Sequence, residues 1–177
     1  MWVRLHTWSR THAGLLSVGA IIALTAIHIL QNVYFISLDR VFLFSDGYAS
    51  RAAEVHWLLK DGGLSAYPRL PFPPLVFLVT HLCFSLFGVS IDVARYSQQL
   101  FTVVLIPSVF YIGLKVAGRR VGLLAAVVAA SSPLVLNVSR GYFLDYGQTA
   151  FTALAFAWLL ATDRFAQRSC AVALGVV

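Results

Sequence analysis

DRVFLFSDGYASRAAEVHWLLKDGGLSAYPRLPFPP, running from Asp39 to Pro74, is the only long polar interval between the apolar runs of this chain. It holds Asp39, Asp46, Glu54 and Asp61, four of the seven acids, with Arg40, Arg51, Lys60 and Arg69 among them. Nearly everything on either side is apolar. Polar chemistry concentrated in one loop beside an apolar bundle points to work at a membrane surface.

The composition agrees. Of 177 residues, 59% are hydrophobic and 11% charged, with a mean hydropathy of +0.81. Soluble domains carry roughly a quarter charged residues. This is the composition of a multi-span membrane protein. The net charge of +6 does not indicate nucleic acid, because the basic residues flank apolar runs and so serve orientation and lipid head groups. Cys83 and Cys170 sit far apart in apolar runs, without metal-ligand spacing, and read as small buried hydrophobes.

Within the loop, Tyr48, Ala52, Val55 and Leu59 recur at helical spacing, with Arg51, Glu54 and Asp61 on the other side. The pattern predicts an amphipathic helix over about 47–60, closed by Gly62-Gly63 and lying in the membrane interface. The prolines between Tyr67 and Pro74 then forbid regular helix. Upstream, residues 1–12 are basic and aromatic, a cytoplasmic lead-in, and the first span covers 13–36. It is too long for a cleaved signal peptide and reads as a retained helix. His28, Gln31 and Asn32 near its far end meet head groups or a neighbouring helix. Downstream, 74–88 is apolar but spans only about 22 Å as a helix, short of the ~30 Å hydrocarbon core. Further spans are expected at 96–115, 121–138 and 146–162. A last apolar run, 170–177, stops incomplete, so the chain reads as the N-terminal part of something longer.

Charge decides how 74–88 lies. If it rests in the interface, Arg4, Arg10, Lys115, Arg119, Arg120, Arg164 and Arg168 are cytoplasmic, against Asp163 alone. The other six basic residues are then outside with the other six acids. If 74–88 spans instead, four basic residues lie inside and nine outside. The positive-inside rule selects the first arrangement, which puts Asp46, Arg95, Arg140 and Asp145 on one outer face. The fold class expected is therefore all-α: a polytopic transmembrane bundle with two interfacial helices in its first outer loop.

The chain also carries an ordered series of short motifs. An acid after the first span and an amphipathic helix precede Pro73-Pro74-Leu75, Leu86-Phe87-Gly88-Val89-Ser90 and Ala94-Arg95. Gly118-Arg119-Arg120, Ala125-Ala126, Ser132-Pro133, Ser139-Arg140 and Leu144-Asp145 follow. Over residues 13–165 this resembles the N-terminal module of GT-C type membrane glycosyltransferases, in the group of the protein O-mannosyltransferases and lipid A aminoarabinose transferases. The sequence departs from that group at Gly47, where many members have Glu. It departs again at Pro71-Phe72, where the aminoarabinose enzymes carry Glu and Lys.

The resemblance implies sugar transfer from a polyprenyl-phosphate donor to an acceptor hydroxyl, on a glycolipid, glycan or protein, at the outer face of the cell membrane. It implies that Asp46, the acid of the first outer loop, is the catalytic residue or base. The chemistry needs a carboxylate to take the acceptor proton and cations to hold the phosphate. Arg69, Arg95 and Arg140 suit the second task because the guanidinium fork matches phosphate oxygens. Asp145 is the second catalytic candidate, placed to orient the acceptor or hold Arg140, and Tyr48 is a substrate-binding candidate. No cofactor is certain and a divalent metal stays open; membrane lipids are partners and nucleic acid is not.

Each residue has a plainer reading. Asp46 would cap its helix. Arg95 and Arg140 would snorkel to head groups. Arg51 with Glu54 is a surface pair, His56 and Trp57 are interfacial anchors, and Tyr67 and Tyr142 are belt aromatics. Two other classes stay open. A transporter fragment would place ionisable groups or breaks within its spans, and these are nearly free of both. A non-catalytic membrane partner of an assembly is the other.

Overall fold

The computed structural model describes residues 2–38, 46–63, 65 and 74–162, with residues 2–13 and 46 described by their backbone alone. Arg69, the proline-rich stretch before Pro74 and the run from Cys170 lie outside the described residues. The fold is all-α. Among the described residues seven helices follow in order: α1 (Trp2–Ser37), α2 (Asp46–Gly62), α3 (Pro74–Phe87), α4 (Ile91–Ala117), α5 (Arg119–Ser131), α6 (Pro133–Arg140) and α7 (Leu144–Ala161).

Among the described residues two helices are long and apolar enough to cross a membrane, Gly14–Ser37 within α1 and Ile91–Ala117, which is α4. The run expected as one helix over 121–138 is broken. α5 and α6 meet at Ser132 with a bend of 56°, and together they make a third candidate crossing. The cause is local. Pro133 lacks the N–H a continuing helix would need and disfavours helical backbone at the residue before it; Ser132 accordingly sits at φ −61°, ψ 126°. α3, with 14 residues, is too short to cross as a straight helix.

α4 is the central helix, touching every other helix of the bundle. α5 folds back along it through Gly118 at φ 89°, and the two helices pack backbone to backbone. A Cβ on Gly113 would lie 2.7 Å from Gly122 Cα, and one on Gly122 would lie 2.7 Å from Phe110 O. Any larger residue at either position forces the hairpin apart. At Gly147 in α7, a Cβ would meet Val76 and Phe101 side chains at 2.6 and 3.1 Å, so α7 docks as closely on α3 and α4.

The buried stripe of α1 is Ser17, Ile21, Thr25, His28, Asn32 and Ile36, whereas Leu15, Leu16, Ile22, Ile27 and Leu30 are exposed. A helix that hides polar groups and shows apolar ones suits a lipid surround, where apolar burial gains little and polar groups must be satisfied inside. α2 is the reverse. Ala49, Ala52, Val55 and Leu59 pack on Phe77 and Phe84 of α3, Ala94 of α4 and Tyr142, while Arg51, Glu54 and Asp61 are exposed.

The inward face of α2 holds Ala52, Val55 and Leu59 as expected and differs at its first position. Tyr48 is 45% exposed, whereas Ala49 is buried at 4%. His56 joins that face. The expectation that it anchors at the interface is corrected: it is buried, with its ring 4.7 Å from His81 and 5.6 Å from Phe84. Trp57 is exposed, with Lys60 Nζ 4.7 Å over its ring.

Candidate functional site

The predicted site residues that fall within the described chain gather at one end of the bundle. α1 ends there, α2 begins there with Asp46, α4 begins there, and the link between α6 and α7 closes the end. At the other end, Gly14 of α1 faces Arg119 of α5, a Cβ on Gly14 falling 3.9 Å from the guanidinium.

A hydrogen-bonded seam fixes α1, α4 and α6 to one another. Asn32 is fully buried. Its Nδ2 donates to Gln99 Oε1 at 3.0 Å and to Ser139 Oγ at 2.9 Å, and its Oδ1 accepts from Arg140 Nε at 3.2 Å. Gln99 Nε2 donates to Ser139 O at 2.7 Å. His28 Nδ1 lies 3.0 Å from Ala130 O. A carbonyl only accepts, so this nitrogen carries the proton, and His28 Nε2, 3.2 Å from Ser139 Oγ, is left as an acceptor. Of the two fates expected for His28 and Asn32, the neighbouring helices are the one observed. Gln31 is exposed.

Arg140 emerges from this seam. Its guanidinium carbon stands 3.9 Å over the Phe35 ring, within the range of a cation–π contact. Its hydrogen bond to Asn32 is the only one it makes among the described residues. Nε is thus occupied and one face covered, which leaves the two-nitrogen outer edge, the edge that takes two oxygens of a phosphate or carboxylate. Asp145 does not hold it; among the described residues there is no ion pair between the two. Asp145 instead stands exposed in the first turn of α7, where a negative charge suits the helix terminus. It opens onto a groove of about 470 Å³ running past Gln148, Thr149 and Thr152 to Phe156.

Arg95 is 5% exposed and lies 3.4 Å from Asp92 Oδ1 through Nη1. It does not snorkel outward. Tyr142 is not a belt aromatic either: it is fully buried, with its hydroxyl 2.9 Å from Thr80 Oγ. Thr80 donates its own proton to Val76 O at 3.0 Å, so Tyr142 is the donor of this pair. The tyrosine thereby pins the α6–α7 link to α3. Next to it, Phe143 lies 6.4 Å from the Tyr48 ring, which brings the start of α2, and with it Asp46, beside the Arg140–Asp145 link.

Sequence reasoning missed Ser97, Gln98, Gln99 and Thr102, a polar run inside an expected span. All four are buried. Thr102 meets the Tyr146 hydroxyl at 2.7 Å, while neither amide atom of Gln98 has a partner among the described residues. The signal was present, since polar residues at membrane depth face the bundle interior. Among the described residues no three His, Cys, Asp or Glu side chains converge as metal ligands.

Compared with curated proteins and with solved structures, the chain gives no match. A family model described as dolichyl-phosphate-mannose-protein mannosyltransferase matches residues 72–176, more than half of the chain. The matched region holds Arg95, Arg140 and Asp145, and begins after Asp46, Tyr48 and Arg69. With that match and the apolar helical bundle, the chain belongs to the dolichyl-phosphate-mannose-protein mannosyltransferase family, membrane glycosyltransferases of the GT-C type.

Proposed function

We propose that this chain carries the donor-phosphate and acceptor sites of a hexosyl- or pentosyltransferase that uses a polyprenyl-phosphate sugar and acts at the outer face of the cell membrane. The observation that carries the reading is Arg140, tied through Nε to Asn32 and stacked on Phe35, at the end of the bundle where α2 begins. Arg140 takes the donor phosphate, with Arg95 and Arg69 adding positive charge around it. Tyr48, half exposed beside Phe143, borders the sugar. Asp145 orients the acceptor, a hydroxyl of a glycolipid, glycan or protein, from the groove along α7.

Asp46 is the base. Its carboxylate takes the proton from the acceptor hydroxyl as that oxygen bonds to the anomeric carbon. The bond from that carbon to the phosphate oxygen breaks with its electron pair, and the lipid phosphate leaves as an anion without general-acid help. The proton ends on Asp46.

Asp46→Asn tests the assignment. Asn caps a helix about as well as Asp but cannot act as the base. The expected outcome, in the intact protein reconstituted with donor and acceptor, is normal insertion with sugar transfer at least ~100-fold slower. Normal turnover would leave Asp46 a helix cap and move the base to Asp145. Sidedness is tested separately, with cysteines at Ala66 and Gly118. Ala66→Cys should react with an impermeant thiol reagent added outside cells and Gly118→Cys should not; labelling at Gly118 alone would reverse the orientation.

A further inference from the structure

We infer that Asn32 and Phe35 are positioning residues for the transfer reaction: one end of α1 fixes the Arg140 guanidinium so that its outer edge faces a phosphate. The inference rests on the proposed role of Arg140. Three observations carry it. Asn32 is fully buried and spends its acceptor on Arg140 Nε at 3.2 Å, while its amide donors are both engaged, by Gln99 and Ser139. The Asn32 side chain is therefore locked in one rotamer and cannot swing away. Phe35 covers one face of the guanidinium at 3.9 Å. With one edge and one face fixed from α1, rotation of the guanidinium plane is suppressed before any ligand arrives.

The physical benefit is pre-organisation. An arginine on a free tether loses rotamer freedom when it grips an anion, whereas one already held loses little. Here the holding groups stand on a different helix from the arginine. The position of α1 against α6 thus sets where the phosphate must sit. The seam built on Ser139, which receives Asn32 and Gln99 and neighbours Arg140 in sequence, keeps that distance constant. Asn32 and Phe35 touch the arginine and act on the substrate through it.

The test is a mutant cycle on the intact protein in nanodiscs, reading kcat and the donor KM separately. Arg140→Ala should lower kcat/KM for a polyprenyl-phosphate sugar by about 100-fold, the scale of a lost bidentate charged contact. Phe35→Leu, which keeps the apolar volume but loses the ring face, should lower it by about 5- to 30-fold. Phe35→Tyr should keep it within about 2-fold, because the face is restored. In the Arg140→Ala background, Phe35→Leu and Asn32→Leu should each add less than about 2-fold, since there is nothing left to position. Losses that multiply in that background, or a Tyr variant as poor as the Leu one, would overturn the inference and leave Phe35 a packing residue. An Arg140→Ala protein with unchanged donor kinetics would instead sink the assignment of the phosphate to Arg140, and with it the basis for this one. Bulk lipid is the other source of the same phosphate chemistry. Raising the anionic phospholipid content of the nanodiscs should leave the Phe35→Leu effect unchanged, and an effect that disappears would assign the edge to a head group and overturn the inference.

Discussion

α4 has two sides of different character. Against α1 and α6 it is joined by amide and hydroxyl hydrogen bonds, through Gln99, Asn32 and Ser139, with Ile21 of α1 and Ile106 in one apolar cluster farther along. Against α2 and α3 apolar contact dominates, with Ala94 beneath Ala49, Ala52, Phe77 and Phe84 and a hydroxyl pair, Thr80 and Ser97 at 3.2 Å. The difference follows from what each partner helix shows on its far side. α1 turns Leu, Ile and Val outward, so apolar packing would gain little over lipid and polar bonds make the joint specific. α2 turns Arg51, Glu54 and Asp61 outward, so its apolar face has water as the alternative and burial drives the joint. One helix reads as immersed, the other as lying at a polar boundary.

The contrast can be broken most forcefully on the apolar side. Phe84→Ala removes a buried ring from between α2 and α3 and should cost about 3–5 kcal/mol. Thermal unfolding in detergent would measure it, and hydrogen exchange should rise in α2 and α3 while the α1–α6 seam stays protected. A uniform rise would show that the two joints are not separate.

On the polar side, Asn32→Leu leaves Gln99 Oε1 and Arg140 Nε without their partner. The cost should be about 1–3 kcal/mol, read by the same unfolding measurement, with exchange now rising in α1 and α6. A stabilised Asn32→Leu protein would mean that shape, not hydrogen bonding, makes the joint.

Acid should loosen the α2–α3 joint without mutation. Burial, and then the nearby His81, hold His56 below its ordinary value of 6.5, with Lys60 adding a smaller push in the same direction. Folding therefore favours the neutral ring. Its contribution is complete above pH 6.5 and is lost as the pH falls below that value toward the lowered one. Exchange in α2 should rise as the pH is brought below 6.5. His56→Phe should abolish that dependence; if it persists, another group is responsible. The smallest effect belongs to the exposed Arg51–Glu54 pair at 2.9 Å. Arg51→Ala should shift stability by less than about 0.5 kcal/mol, and less still in high salt.

The sequence by itself determined the all-α membrane class, because apolar runs of that length have no other stable state in lipid. It determined the amphipathic helix in the first loop, since a 3.6-residue repeat of apolar positions is a local property. It also named Asp46, Asp145, Arg69, Arg95, Arg140 and Tyr48 as candidates, from the charges and motifs that flank the spans. Tertiary structure alone decided which polar groups meet. Asn32 and Ser139 are 107 residues apart, and nothing local in either segment encodes their contact. The same holds for the burial of Arg95 and Tyr142, for the turn of His56 toward His81, and for the separation of Arg140 from Asp145. Each depends on the angle at which one helix crosses another. Local composition sets which faces of a helix can be buried; only the packed bundle sets which buried face meets which, because that choice is made by side-chain fit and hydrogen-bond geometry across the whole chain.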